Sequence, residues 1–425
     1  MKAKLFSMAI ASLLMAALLS GCGGGSGSTG TVRLVNATHD FAALELYTSD
    51  TERASGVAES TASGYIELDE GSYSFRLKTA GSSTTSLSST LSVAKDTAYS
   101  IVAYNTGSTL GLAYFSDNQS APTSGTAALR LFNGAPSAGT LDVYVTATDA
   151  DLATASPAVG SLSGATLGSY AEFGKGTYRI RVTGAGDKTD LRLDIPAITL
   201  ADQQVATLVL TGSGGGVLVN GLLVNQGGTV AAFKNGNARV RVVAAVTGNG
   251  SVSASTASAT LASSLQSPSV GGYVSTPATL DGLSLKVNGV AIDTSTISVA
   301  AGDDVTLLVY GDAASPQLNV LFDDNLPATL SSNTRIRLVN LVNGLGSTTT
   351  LNADYVAVAD NIAFGYASAP ASIAASTTMR LEVTSPLRTT PLYSATDVSL
   401  AAQKVYTLFM MGDAASPIAV LRKDR

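Results

Sequence analysis

The chain has 425 residues, a formal net charge of −6, and only 13 % charged against 45 % hydrophobic residues. This balance excludes a disordered chain, and 25 lysines and arginines in a net acidic chain argue against a nucleic-acid binder. A single cysteine and a single histidine exclude an internal disulfide and a histidine-based metal site. The length predicts two to four domains, and the small, β-branched and turn-forming residues predict an all-β chain.

The first 21 residues have the pattern of a signal peptide. Two lysines precede an apolar stretch from Leu5 to Leu19 that is too short to span a membrane. The following Leu19-Ser20-Gly21-Cys22 resembles the lipobox of bacterial lipoproteins, which implies cleavage before Cys22 and lipidation of its thiol. The alternative is an ordinary secretory signal with an incidental cysteine. Gly23, rather than Asp, implies the outer membrane by the same resemblance, and residues 22–30 are predicted to form a flexible Gly/Ser tether.

Four similar units follow the tether. Each opens with a strand that carries an arginine, and these arginines are Arg33, Arg130, Arg241 and Arg337. The predicted β-sandwich repeats cover 31–120, 126–226, 237–327 and 333–425, the third being degenerate. Each offers seven or so short strands between Gly, Asn, Asp and Pro turns, which predicts tandem immunoglobulin-like β-sandwich domains. We expect four units joined as beads on a string.

Sequence periodicity separates two kinds of strand within each unit. Residues 71–79 alternate apolar and polar side chains, which is typical of a half-buried strand. Near the end of each unit, runs such as QVATLVLTG and KVYTLFMMG are almost continuously apolar and predict central strands. The long uncharged stretch 204–225 is interrupted by glycines and predicts two strands joined by a hairpin rather than a membrane span. The low-complexity stretch 251–272 predicts a loose edge or loop.

The hexapeptide GDAASP occurs at Gly311 to Pro316 and again at Gly412 to Pro417. Its Asp and Ser could mark a catalytic loop, but no second group stands in register with both copies. Gly, Asp and Pro are the residues that a turn between adjacent strands requires. The hexapeptide is therefore predicted to be a turn.

The recurring strands also resemble a known family. Arg130 to Pro136, Leu141 to Val145 and Gly176 to Val182 match the plan of the bacterial domain-of-unknown-function family 4397. Repeat two fits best, repeats one and four reasonably, and repeat three poorly. The resemblance implies an envelope-anchored or secreted β-sandwich without assigned activity, and it carries no catalytic residues.

Two groups of polar residues are candidate sites. His39 and Asp40 could belong to a hydrolase triad, but no nucleophile elbow accompanies them, and a solvated loop histidine is the preferred interpretation. Asp303, Asp304, Asp323 and Asp324 could bind calcium, in which case the ion would lie between repeats. The alternating acidic loop of a calcium site is missing, so these residues are interpreted as turn residues.

The tyrosines of repeat one are the third candidate. Exposed tyrosines could stack on sugar rings or anchor a protein, whereas Tyr73 and Tyr99 are predicted to pack on the core.

The sequence thus predicts a non-enzymatic cell-envelope lipoprotein without a cofactor. It would be held at the membrane, on the periplasmic face or the cell surface, by a lipid on Cys22. Its role would be that of a scaffold, adhesion or binding protein for an unidentified envelope protein or glycan. A carbohydrate-binding or solute-binding module is the alternative, and a surface hydrolase is the third.

Overall fold

The computed structural model describes residues 28–425, and the predicted signal peptide and Cys22 lie outside this range. The first strand begins at Thr29, so the folded part starts two residues before the predicted Thr31. No helix among residues 28–425 has the length and apolar character needed to cross a membrane. Apart from one short 3-10 turn at Pro136–Ala138, all regular structure in this range is β-strand.

Each repeat forms nine strands. Those of repeat one are β1 (Thr29–Ala37), β2 (Ala43–Thr48), β3 (Thr51–Ala58), β4 (Thr61–Ala62), β5 (Ile66–Asp69), β6 (Gly71–Thr79), β7 (Thr85–Val93), β8 (Ala98–Thr106) and β9 (Thr109–Ser116). Those of repeat two are β10 (Thr126–Gly134), β11 (Leu141–Thr146), β12 (Val159–Leu162), β13 (Ala171–Gly174), β14 (Gly176–Gly184), β15 (Asp187–Leu200), β16 (Val205–Thr211), β17 (Asn220–Asn225) and β18 (Val230–Phe233).

Repeats three and four continue the same series. Those of repeat three are β19 (Asn237–Val246), β20 (Ser251–Ser255), β21 (Thr260–Gln266), β22 (Ser269–Val270), β23 (Val274–Pro277), β24 (Ser284–Val287), β25 (Val290–Ile292), β26 (Asp304–Asp312) and β27 (Ser315–Phe322). Those of repeat four are β28 (Asn333–Asn340), β29 (Thr349–Ala353), β30 (Val356–Ile362), β31 (Tyr366–Ala367), β32 (Ala371–Ala374), β33 (Ser376–Thr384), β34 (Tyr393–Leu400), β35 (Val405–Asp413) and β36 (Ser416–Lys423).

The strands of each repeat divide into two sheets. In repeat one, the order β4-β1-β8-β9, with β5 also paired to β1, forms what we call the inner sheet, and β3-β2-β6-β7 forms the outer sheet. The inner sheets of the other repeats contain β10 and β16, β19 and β26, and β28 and β35. The first strand always runs parallel to the eighth in repeats one, three and four and to the seventh in repeat two.

A hydrophobic core fills the space between the two sheets of each repeat. In repeat one, Leu34 and Ile101 of the inner sheet meet Leu46 and Phe75 of the outer sheet, and all four are fully buried. Burying a side chain of this size contributes about 1.5–3 kcal/mol. Equivalent cores join the sheet pairs of the other three repeats. The prediction of an all-β chain with tandem β-sandwiches is confirmed.

The repeats are not separate beads, because their inner sheets pack against each other in pairs. Val35 and Val102 of repeat one share a cluster with Phe132 and Val209 of repeat two. A second cluster joins the inner sheets of repeats three and four in the same way, through Val243, Leu308, Val339 and Phe409. Both faces of an inner sheet are therefore covered, which explains the continuous apolar runs that predicted central strands.

The predictions for turns and for repeat three had different outcomes. Residues 204–225 form an antiparallel pair of strands, and both copies of GDAASP are tight hairpin turns, as predicted. The stretch 251–272 is not a loose loop, because it forms β20, β21 and β22. Small residues such as Ala254 suffice there because partners on the inner sheet supply the larger side chains of the core. Repeat three thus has both sheets.

Candidate functional sites at the junctions between repeats

The four aligned arginines occupy one and the same structural position. Each lies in the first strand of its repeat, on the inner-sheet face that meets the neighbouring repeat. Each donates from Nε to a hydroxyl on the adjacent parallel strand, and the four distances lie between 2.7 and 2.9 Å. The acceptors are Ser100, Thr207, Thr306 and Thr407. The arginine that recurs in the first strand of each repeat therefore lies at the contact surface between repeats.

Between repeats three and four, these arginines form ion pairs that cross the interface. Arg241 of repeat three donates to Asp424 of repeat four, while Arg337 of repeat four donates to Asp323 of repeat three at 2.5 Å. The four side chains are at most 5 % exposed. Each aspartate also accepts a hydrogen bond at 2.5 Å from the threonine hydroxyl of its own repeat. Because each charge is paired and hydrogen-bonded, its burial is tolerated.

Between repeats one and two, the aligned arginines do not form crossed Arg–Asp ion pairs. Gln226 stands directly after β17, where the other repeats carry Asp117, Asp323 or Asp424 directly after the last inner-sheet strand. Arg33 therefore donates to backbone carbonyl oxygens of repeat two, those of Asn225 at 2.8 Å and Gly228 at 2.6 Å. Its nearest carboxylate is Asp117 of its own repeat, at 3.6 Å. Arg130 of repeat two in turn donates to the Ser116 carbonyl of repeat one at 3.3 Å, so the two arginines bind backbone carbonyls across this interface instead of forming crossed ion pairs.

The four acidic residues that are candidate calcium ligands all interact with protein groups. Asp304 binds Arg239, Asp323 binds Arg337, and Asp324 binds Arg335, while Asp303 accepts a backbone N–H from Ala300. Within residues 28–425, no three His, Cys, Asp or Glu side chains come together as a metal site. Asp323 does lie between two repeats, as the calcium hypothesis required, but arginine supplies the positive charge there.

His39 lies at the seam between repeats one and two. Its Nε2 is 3.4 Å from Asp40 Oδ2, and its side chain is 17 % exposed, so it is not the solvated loop histidine that the sequence predicted. A Cβ atom on Gly212 of repeat two would lie 3.2 Å from the imidazole ring. Close contact with a second repeat, which the local sequence does not encode, excludes most solvent from the ring.

The tyrosines of repeat one do not form an exposed platform. Tyr73 and Tyr99 pack against the core, as predicted. The Arg33 guanidinium stacks on the Tyr65 ring, with 4.6 Å between the guanidinium carbon and the ring centroid. The Tyr65 hydroxyl donates to Asp117 at 2.6 Å. Burial and the hydrogen bond to Asp117 raise the pKa of Tyr65 to about 12. Its hydroxyl also accepts a hydrogen bond from the Gly227 N–H of repeat two at 3.4 Å, so this tyrosine takes part in the contact between repeats.

The two pairs of repeats meet through a glycine loop. Residues 212–219, between β16 and β17, lie against repeat three, and the Gly215 N–H donates to the Gly302 carbonyl at 3.0 Å. A Cβ atom on Gly215 would lie 2.7 Å from both Gly302 O and Asp304 N. Only glycine fits there without moving backbone, so repeat two touches repeat three through an approach that a side chain would prevent.

We expect Gly215→Ala to open the junction between repeats two and three. The added methyl group must displace backbone, and overpacking of this kind typically costs about 1–3 kcal/mol. Small-angle X-ray scattering should show a larger maximum dimension than in the parent protein. Gly214→Ala is the matched control, because a Cβ atom there meets nothing within 4 Å, and its scattering curve should be unchanged. Identical curves for all three proteins would contradict the close approach.

A polar cleft of about 470 Å³ lies where repeats two, three and four meet. We call it the junction cleft. Repeat two contributes the turn 138–140, the hairpin around Gly184 and the start of β15, and repeat three contributes Arg239. Repeat four contributes Lys404 and the end of β36. None of these residues belongs to a site predicted from the sequence, although positive residues near the end of the chain are conspicuous in a sequence so poor in charge.

Five cationic side chains line the junction cleft, namely Arg192, Arg239, Lys404, Lys423 and Arg425. Burial, together with the positive charges of Arg192 and Arg239, lowers the pKa of Arg425 to about 10. Burial also lowers the pKa of Lys404, and Lys423 and Arg425 add to this effect. Burial is the main cause of both shifts, and the neighbouring positive charges add to it.

One known protein family matches the chain. The family model described as Domain of unknown function (DUF4397) matches residues 30–144 and 238–348, together more than half of the chain. The chain belongs to this family. Both DUF4397 matches begin at the first strand of an odd-numbered repeat and continue into the next repeat. The matches cover the first and third repeats almost throughout and only the first strands of the second and fourth.

Two solved structures show weak similarity to this DUF4397 chain. One is the carbohydrate-binding module of family CBM26 from Eubacterium rectale Amy13K, in complex with maltoheptaose, with a TM-score of 0.15 and 14 % identity over 48 % of this chain and 96 % of that one. The other is a product complex of SpuA, a multi-modular glycogen-degrading pneumococcal virulence factor, with a TM-score of 0.15 and 7 % identity over 85 % of this chain and 37 % of that one. Structural similarity this weak gives no basis for assigning a ligand or an activity to this chain. No curated protein matches the chain.

Proposed function

We propose that this protein is a non-enzymatic binding and scaffold lipoprotein of the bacterial cell envelope, anchored through Cys22, with the outer membrane as its expected location. The observation that carries the scaffold role is the pairing of inner sheets. Two repeats that share a buried apolar face and crossed Arg–Asp pairs behave as one body, whereas domains joined by a small polar interface move independently. Such a body holds several loop surfaces at fixed separations.

The uses of the buried polar groups support a structural and binding role over catalysis. Asp323 and Asp424 each neutralise an arginine of the neighbouring repeat, and Asp304 neutralises Arg239. Catalytic groups are usually left free to exchange protons with a substrate in a cleft. These carboxylates instead serve packing between repeats.

Binding of a small solute is a second candidate, and the junction cleft favours it. Its volume of about 470 Å³ lies within the range of 300–1,000 Å³ that is common for small-molecule sites. Loops of three repeats surround it, so the cleft depends on the packing of repeats against one another. A scaffold and a solute site are therefore compatible in the same molecule.

The anchor is tested by substituting Cys22. We expect the parent protein to incorporate labelled palmitate and to sediment with outer membranes, because three acyl chains at about 0.8 kcal/mol per buried methylene hold a protein firmly. Cys22→Ser should abolish the label and release the protein into the soluble envelope fraction. Ser20→Ala, which keeps the cysteine, is the control. Equal labelling of parent and Cys22→Ser would refute the lipid anchor.

The binding role is tested by retention on envelope material. The immobilised protein should retain a defined protein or glycan from envelope extracts, without altering it chemically, when the eluted ligand is examined by mass spectrometry. Retention of a glycan would favour the solute-binding candidate over an adhesion scaffold. A hydrolysed or otherwise converted ligand would overturn the non-enzymatic proposal.

A further inference from the structure

The charge of the junction cleft is not balanced by the carboxylates around it. Asp190 accepts from Arg192, and Asp304 accepts from Arg239, so these two arginines are neutralised. The lining carboxylate of Asp424 is likewise used, because it binds Arg241. Asp187 lies at the exposed rim, where its side chain bonds Thr189.

Three cations remain without a carboxylate partner in the part of the chain that the structure describes. Lys404, Lys423 and Arg425 have no carboxylate oxygen within 4.0 Å among residues 28–425. Arg425 makes only long hydrogen bonds of 3.4 Å, to the carbonyl oxygens of Gly216 and Asn325. Placing three like charges around one cleft is unfavourable, and in a chain of net charge −6 it is not a consequence of overall composition.

We propose that the junction cleft binds a small polar ligand through an oxyanion, either a phosphate or a carboxylate group. The planar guanidinium of Arg425 can hold two oxygens of such a group, and the ammonium groups of Lys404 and Lys423 add compact positive charge. The cleft volume of about 470 Å³ is large enough for a small molecule that carries such a group. This inference rests on the proposed binding function, and it assigns that function a ligand class.

The ligand contacts come from two sides of the junction. Lys404, Lys423 and Arg425 belong to repeat four, whereas repeat two supplies the opposite wall through residues 138–140 and Gly184. A bound oxyanion would therefore link the two pairs of repeats, and binding should stabilise the junction as well as fill the cleft. An anion that bound elsewhere on the protein would not have this effect.

The experiment is isothermal titration calorimetry on the full chain, purified from membranes in a non-ionic detergent at low salt. Inorganic phosphate and glucuronate are the two anionic probes, and glucose is the neutral probe. We expect one or both anions to bind and glucose not to bind. Because an ion pair in a partly closed site is worth about a factor of ten, Lys404→Ala and Lys423→Ala should each weaken binding roughly tenfold. Lys95→Ala, an exposed lysine in repeat one, is the control.

The outcomes separate the possibilities. Binding of phosphate alone identifies a phosphate group as the ligand, and binding of glucuronate alone identifies a carboxylate on a sugar. Unchanged affinity in Lys423→Ala and Lys404→Ala, with normal folding by circular dichroism, would overturn the cleft as the site. No heat with either anion up to about 10 mM, a range in which even millimolar sites register, would overturn the ligand class. If Cys22 labelling and envelope retention succeed in that case, the proposed function itself stands.

Discussion

Replacement of Arg241 by Met should lower the free energy of unfolding of repeats three and four by about 3–5 kcal/mol, because it leaves the buried carboxylate of Asp424 without its counter-charge. Asp424 would keep only the hydroxyl of Thr407 as a hydrogen-bond partner for its fully buried side chain. The loss also removes the Arg241 guanidinium from the faces of Tyr273 and Phe409, which it contacts at 4.5 and 5.0 Å. Urea unfolding followed by hydrogen exchange of the β26 and β35 amides would measure the effect.

Two further variants separate burial of charge from loss of packing. The double variant Arg241→Met with Asp424→Leu removes both charges, and its stability should return towards that of the parent, since buried ion pairs can be replaced by apolar residues at little cost. Arg76→Ala breaks an ion pair whose aspartate, Asp50, is 99 % exposed, and it should change stability by less than about 1 kcal/mol. A single Arg241→Met variant as stable as Arg76→Ala would show that the crossed pairs do not hold the repeats together.

Replacement of Phe132 by Ala should cost about 3–5 kcal/mol and separate repeats one and two. Phe132 is 1 % exposed and belongs to repeat two, yet its ring contacts Tyr104 and Phe115 of repeat one edge-on, at centroid distances of 5.3 and 5.1 Å. Truncation leaves a cavity inside the interface rather than inside either core. Because Gln226 replaces an aspartate here, this interface depends more on apolar packing than the interface between repeats three and four.

Cross-linking mass spectrometry and thermal unfolding would report the separation. We expect cross-links between repeats one and two to fall and an earlier, separate transition to appear, since each repeat keeps its own core. Tyr355→Ala removes an aromatic side chain that is 80 % exposed, so it should alter stability by no more than about 0.5 kcal/mol. A single unshifted transition for Phe132→Ala would mean that the repeats pair for another reason.

Inner sheets that are apolar on both faces need cover from a neighbouring repeat, and an isolated repeat would expose a contiguous apolar face. The DUF4397 matches, which run from one repeat into the next, agree with a unit larger than a single sandwich. The arginine in each first strand contributes to this pairing of repeats, because it places a positive charge at the centre of an apolar interface. Only a neighbouring repeat with acceptor groups at matching positions can pair that charge.

Much of the fold was predictable because it depends on neighbours along the chain. Alternation in β6 reports one buried face, and the apolar run of β26 reports two, so strands and their central positions follow from local pattern. The hairpin turns follow in the same way, since the GDAASP residues carry their own conformational preferences. The prediction of a loose loop at 251–272 was wrong, because small residues in a sequence suggest poor packing. In the folded protein, the facing sheet fills the space that these small residues leave.

The candidate sites could not be predicted in this way, because their members come from different repeats. Arg241 and Asp424 are 183 positions apart, and no local pattern indicates which distant aspartate meets which arginine. The junction cleft needs side chains of three repeats, and its charge is significant only because they converge.

By itself, the sequence determined four sandwiches with a predicted lipid anchor before them, since strand periodicity and the lipobox pattern are local. Tertiary structure alone decided which repeats pair, which charges are neutralised and which are left facing a cleft, because each of these depends on groups that meet only when separate sheets pack together.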